Sequence, residues 1–105
     1  MNTNYTSEET MLWAFACMQI MSIAGHVTPD RVDSVLDIEG VPPPELLTIL
    51  ADKLDDLAGA MASANSHGPL ERKYNLRRFR RRVRHVHAAM VRRSSLFYAG
   101  VEGEA

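Results

Sequence analysis

Large apolar residues recur along this chain at spacings of three and four, and each such run begins at a residue suited to start a helix. In the first run, Met11, Phe15, Met18 and Met21 fall on one side at helical spacing, and Leu12, Ala16, Ile20 and Ile23 on another. Thr6 and Glu9 ahead of it have the spacing of a capping box, and Gly25 is a natural terminator. A helix without a polar face needs enclosure. It is expected either as the central helix of a bundle, with Trp13 in the core, or with one side covered by a second copy or a partner.

Thr28-Pro29-Asp30 starts a second, short helix with an N-cap, a proline at the first helical position and an acid near the dipole. Val32, Val35 and Leu36 form its stripe, and Gly40 followed by Val41-Pro42-Pro43-Pro44 stops it in a stiff, extended connector. Pro44 then opens a third helix. Its seam is Leu47, Leu50, Leu54, Leu57 and Met61, a 3, 4, 3, 4 pattern, while Glu45, Asp52, Asp55 and Asp56 fall on the opposite arc. The small and polar run from Ala62 to Gly68 ends it, and Pro69 begins a fourth helix whose seam is Leu76, Phe79, Val83, Val86, Met90 and Phe97.

No segment alternates as a strand does, so the expected fold is all-α. It is a compact bundle of three long helices and one short helix, ending in an Arg-rich C-terminal helix. Residues 1–99 form one helical domain, and residues 100–105, with nothing to bury, form a frayed tail beyond an ordered end near Tyr98. At 105 residues with 46% apolar content the chain has room for one modest core.

Charge changes this picture most. Residues 1–71 carry eleven Asp/Glu against Arg31 and Lys53, a net of −9, whereas residues 72–105 carry nine arginines and Lys73 against Glu102 and Glu104, a net of +8. The overall −1 hides a strong dipole. Arg77, Arg78, Arg80, Arg81, Arg82, Arg84, Arg92 and Arg93 spread over roughly 220° of the fourth helix. Arginine, whose planar fork takes carboxylate or phosphate bidentately, outnumbers lysine nine to one there. Six arginines fall within eight residues, where like charges at i+3 and i+4 repel. That density implies a counter-charge, and the candidate partner-binding residues are Arg77, Arg78, Arg81, Arg82, Arg84, Arg92 and Arg93.

An acidic protein surface would supply the counter-charge, or the acids of a second copy, with Asp52, Asp55 and Asp56 of one molecule facing Arg77, Arg81 and Arg84 of another in a homodimer. Nucleic acid is the alternative, bound directly through residues 76–98. Against it, Asn75 is the only Asn or Gln of the helix, and Phe79 and Phe97 belong to the seam, so base readers and stacking rings are missing. A helix-turn-helix over residues 28–65 would aim Glu45, Asp52, Asp55 and Asp56 at phosphates, the wrong sign. The acidic arc has a second reading as a phosphate mimic. An exposed Leu96 and Tyr98 beside Arg92 and Arg93 would make an interface hot spot.

Enzymatic and metal-binding constellations are not suggested, and no cofactor is called for. Cys17 lies in an apolar stretch and reads as a core residue, which suits a reducing cytoplasm. His85 and His87 stand two apart and point different ways on a helix, His87 lies near the seam as a packed or hydrogen-bonded residue, and His26 and His67 fall in connectors. Met11 to Ala24 is shorter than the ~20 residues of a membrane span, and its acidic lead does not suit a secretory signal.

Taken as a profile, a small single-domain chain with segregated charge, no catalytic set and one arginine-studded helix resembles the small phage-encoded anti-CRISPR proteins. The resemblance covers the whole chain and rests on its profile, with no shared motif. It implies an inhibitor that blocks a nucleic-acid-handling complex stoichiometrically through a charged surface, in the host cytoplasm.

Overall fold

The computed structural model describes residues 6–22 and 28–104, and in them the chain is all-α. Four helices follow in order: α1 (Ser7–Ser22), α2 (Pro29–Glu39), α3 (Pro44–Ala64) and α4 (Pro69–Glu104). The proposed stop at Gly25 and the connector residue His26 lie outside the described residues.

The local signals act as read. The Thr6 hydroxyl accepts from the Glu9 amide at 3.1 Å, and the Thr28 hydroxyl from the Arg31 amide at 3.4 Å. Gly40 closes α2 at φ 94, a conformation open to glycine, and its N–H reaches the Leu36 carbonyl at 2.9 Å. At the end of α3, the Asn65 amide and side chain both donate to the Met61 carbonyl. Pro69 opens α4.

α3 and α4 form the backbone of the bundle, with α1 lying across both and α2 bridging α1 to α4. The buried face of α3 is Leu46, Leu50, Leu54, Ala58 and Ala62 with Leu47 beside it, a ridge of fourfold spacing. The expected heptad seam thus shifts at its C-terminal end, where Leu57 and Met61 are only partly buried. Alanine at 58 and 62 presents no bulk, so neighbouring helices approach the backbone there.

α1 is the main departure from expectation. It buries Ala14, Cys17, Met18 and Ile20, but Leu12 is 64% exposed, Phe15 is 55% exposed and Trp13 is half-buried. The central place belongs to α3 and α4, which are 21 and 36 residues long and offer longer seams than the 16 residues of α1. At about 1.5 Å per residue α4 is about 54 Å long. It therefore sets the long axis of the molecule, 54 Å.

α4 departs at its C-terminal half. Val83, Val86 and Met90 are buried as the seam requires, but Phe97 is 48% exposed, and the next inward residue after Met90 is Ser94, 1% exposed. The reason is the surface opposite. The connector Val41-Pro42-Pro43-Pro44 has lost three N–H donors to proline, so its carbonyls need donors from elsewhere. Ser94 Oγ donates to the Pro42 carbonyl at 2.7 Å and Tyr98 Oη to the Val41 carbonyl at 2.8 Å. His87 Nε2 lies 2.7 Å from the Leu47 carbonyl, which can only accept, so that nitrogen carries the proton. The helical backbone also runs past Tyr98 to Glu104. No proline interrupts residues 99–104, and each added residue gains an i to i−4 hydrogen bond, which outweighs the cost of the two glycines, Gly100 and Gly103.

Candidate functional site

Packing divides the eight arginines from Arg77 to Arg93 into two sets. Viewed down the helix at 100° per residue, the buried residues Val83, Val86 and Met90 lie opposite an arc of about 120° that holds Arg77, Arg78, Arg81 and Arg84. These four are exposed, as is Arg92 further along, and among the described residues none of the five is ion-paired with a carboxylate. Arg77 and Arg84 are about 10 Å apart along the axis, so four positive charges occupy two turns.

The second set is engaged within the molecule. Arg80 pairs with Asp55 of α3 at 3.0 Å. Arg93 reaches α2, with Nη1 at 2.6 Å from Asp33 and Nη2 at 3.0 Å from Asp37. Hydrogen bonding to Asp33, then to Asp37, pushes the Arg93 guanidinium further toward the charged form. Arg93, expected among the partner-binding residues, is therefore a bolt between α4 and α2. Its neutralisation follows from its place at the edge of the buried seam, where the acidic face of α2 comes into reach. Arg82 is half-buried with its guanidinium carbon 5.9 Å from the Phe79 ring centroid. Burial, and then the charge of Arg78, shift it toward lower affinity for its proton, though a guanidinium stays ionised at physiological pH.

The acidic arc of α3 is likewise divided. Glu45, Asp52, Asp55 and Asp56 are all exposed, as the pattern required, but Asp55 is taken by Arg80. Because α3 and α4 are packed neighbours, this part of the complementarity foreseen between copies is satisfied within one molecule. Packing separates the members of the proposed hot spot at Leu96 and Tyr98. Leu96 is 66% exposed, but the Tyr98 hydroxyl is spent on Val41 and the neighbouring Arg93 on α2.

Two residues of the arginine arc escaped the reading of the sequence. Leu70 is 85% and Tyr74 is 66% exposed, and they lie two turns and one turn, respectively, ahead of Arg77 and Arg78 on the same side of α4. The signal was available in the helical order 70, 74, 77, 78, 81. An exposed tyrosine beside arginines is the composition of a binding hot spot.

Cys17 is buried with Sγ 3.3 Å from Met90 Sδ, and burial pushes its thiol up to about 12, away from nucleophilic character. Among the described residues no three His, Cys, Asp or Glu side chains come together as a metal site would need, and no helix is long and apolar enough to cross a membrane.

Fold and surface together define, among the described residues, an all-α bundle of four helices with a charged, exposed face on its longest helix. No protein-family model matches the chain, and comparison with curated proteins and with solved structures likewise finds no match.

Proposed function

We propose that this chain is a non-enzymatic interaction protein that docks on an acidic surface of a partner through the exposed arc of α4. One observation carries the reading: Arg77, Arg78, Arg81 and Arg84 share one solvent-facing arc, and among the described residues no carboxylate neutralises them. Four like charges within two turns repel one another, and a partner bearing carboxylates relieves that repulsion while gaining bidentate hydrogen bonds. Tyr74 and Leu70 add apolar contact area at one end of the arc. The likeness in profile to anti-CRISPR proteins favours an inhibitor that occupies a nucleic-acid-handling complex, acting in the cytoplasm, that of the host for a phage-encoded chain.

Direct binding of nucleic acid through the same arc is the second reading. It draws support from Tyr74, an exposed ring one turn from Arg77 and Arg78, where a base could stack. Association between copies, using Asp52 and Asp56 against the arginines, is a third use of the same charges.

A gel shift with random duplex and single-stranded DNA and RNA at 50 and about 200 mM salt separates these readings, because a phosphate binder weakens steeply over that range. Absence of a shift at low salt is expected. Light scattering over the same range reads out association between copies. Capture of a nuclease or other nucleic-acid-handling complex by the native chain, lost when Arg77, Arg81 and Arg84 are changed to Glu, supports the proposal. Capture undiminished in that triple variant overturns it.

A further inference from the structure

On α1, far in sequence from the arginine arc, the bundle leaves a groove of about 520 Å³. Its walls are Leu12, Trp13 and Phe15 of α1 on one side and Val41, Pro42 and Pro43 of the connector on the other. Leu12 and Phe15 are three residues apart, so they stand on one face of the helix, and both are more than half exposed. Trp13 packs against the core on one side, but the exposed Leu12 and Phe15 belong to neither the core nor its partly buried fringe, so the packing of the chain does not explain them. The prolines leave the opposite wall stiff and poor in donors, and Ser94 and Tyr98 already hold the connector carbonyls. The groove is therefore preformed and mostly apolar, as ligand sites are.

Its charge is one-sided. Glu9 and Glu39 line the groove, neither is ion-paired among the described residues, and no Lys or Arg lines it. A second copy laid face to face on this groove would bring the same acids toward each other, which costs energy. A basic occupant would not meet that cost.

We infer that the groove is a second docking site, and that it receives a basic amphipathic segment of another protein. Such a segment inserts two apolar side chains one helical turn apart against Leu12, Trp13 and Phe15, and sets Lys or Arg on either side of them against Glu9 and Glu39. This is the helix-in-groove mode of recognition, with the anchors supplying affinity and the rim charges supplying polarity. It is separate from the arginine arc, and it stands whether or not that arc binds acid.

The sole tryptophan of the chain, Trp13, reports on the site directly. The probes are two synthetic helical peptides with the same leucine and phenylalanine anchors, one flanked by arginines and the other by glutamates, titrated into the intact chain while Trp13 emission is followed. The basic peptide is expected to give a saturable blue shift. Leu12→Ser with Phe15→Ser should abolish it, and Glu9→Lys with Glu39→Lys should weaken it by about tenfold. These are surface positions, and far-UV circular dichroism will show the variants folded. Arg77→Glu with Arg81→Glu should leave the titration unchanged, so failure of the arginine reading and failure of this one are distinguishable. Equal binding of the acidic peptide overturns the proposal, as does the absence of a saturable change at millimolar basic peptide. A blue shift of the chain alone that grows with its concentration also overturns it, since a second copy would then fill the groove.

Discussion

The hydroxyl of Ser94 lies 2.7 Å from the carbonyl oxygen of Pro42, joining the last third of α4 to the proline connector 52 residues earlier. Ser94 is 1% exposed, so this polar pair is buried. Ser94→Ala leaves the Pro42 carbonyl without that donor, and the expected loss is about 1–3 kcal/mol of unfolding free energy in urea titration. Tyr98→Phe, which removes a partly exposed donor, should cost less, about 0.5–1.5 kcal/mol. Equal effects would mean that the two hydroxyls do not differ in burial as described.

Arg92 and Arg93 are adjacent in sequence and opposite in role. Arg93→Ala breaks the ties to Asp33 and Asp37 and should lower the Tm, by less at high salt. Arg92→Ala, on the exposed face without an ion pair, should leave the Tm unchanged. Thermal melts at low and high salt check both.

Relief of repulsion gives the arginine arc a stability signature of its own. Arg81→Gln removes a positive charge that neighbours Arg77, Arg78 and Arg84 at helical spacings of three and four. A small rise in Tm is expected at low salt, vanishing as salt screens the remaining charges. A fall in Tm would show that Arg81 is bound within the molecule.

The alanine ridge of α3 admits no bulk. Ala58 is 0% exposed within the core cluster, so Ala58→Leu forces three further carbons into closed packing and should destabilise by about 1–3 kcal/mol. Gly59, next to it, has open space beyond its Cα, so Gly59→Ala should be stabilising by up to about 1 kcal/mol. Chemical denaturation of the pair tests the direction in which each side chain points.

Cys17 links stability to alkaline pH. Burial raises its folded thiol to about 12, while an unfolded thiol titrates near ~8.5, so above that value the unfolded chain releases a proton that the folded chain retains. Its contribution is complete below the unfolded value and is lost progressively as pH rises toward about 12. Unfolding free energy measured from pH 8 to 10 should fall with a slope that Cys17→Ala reduces. The native thiol should also resist a maleimide until the chain unfolds.

Helices were legible because their causes are local. Thr6, Thr28, Gly40, Pro44 and Pro69 act within four residues of themselves, and the seams of α3 and α4 follow from apolar spacing. The fate of α1 was not legible. Its composition required cover, but whether cover exists depends on which helices pair most extensively, and the longer seams of α3 and α4 took the centre. Phe97, expected in the seam, is half exposed and Ser94 is buried there, because the proline connector, distant in sequence, presents a carbonyl to that side of α4.

The sequence by itself determined four helices, their starts, and a basic helix set against an acidic remainder, since capping, proline geometry and apolar period act between near neighbours. Tertiary structure alone decided which charges stay available. Arg80 and Arg93 meet acids 25 and 56 to 60 residues away, while Arg77, Arg78, Arg81 and Arg84 meet none among the described residues. An ion pair needs two side chains within about 4 Å, and only the packing of α4 on α2 and α3 sets that distance.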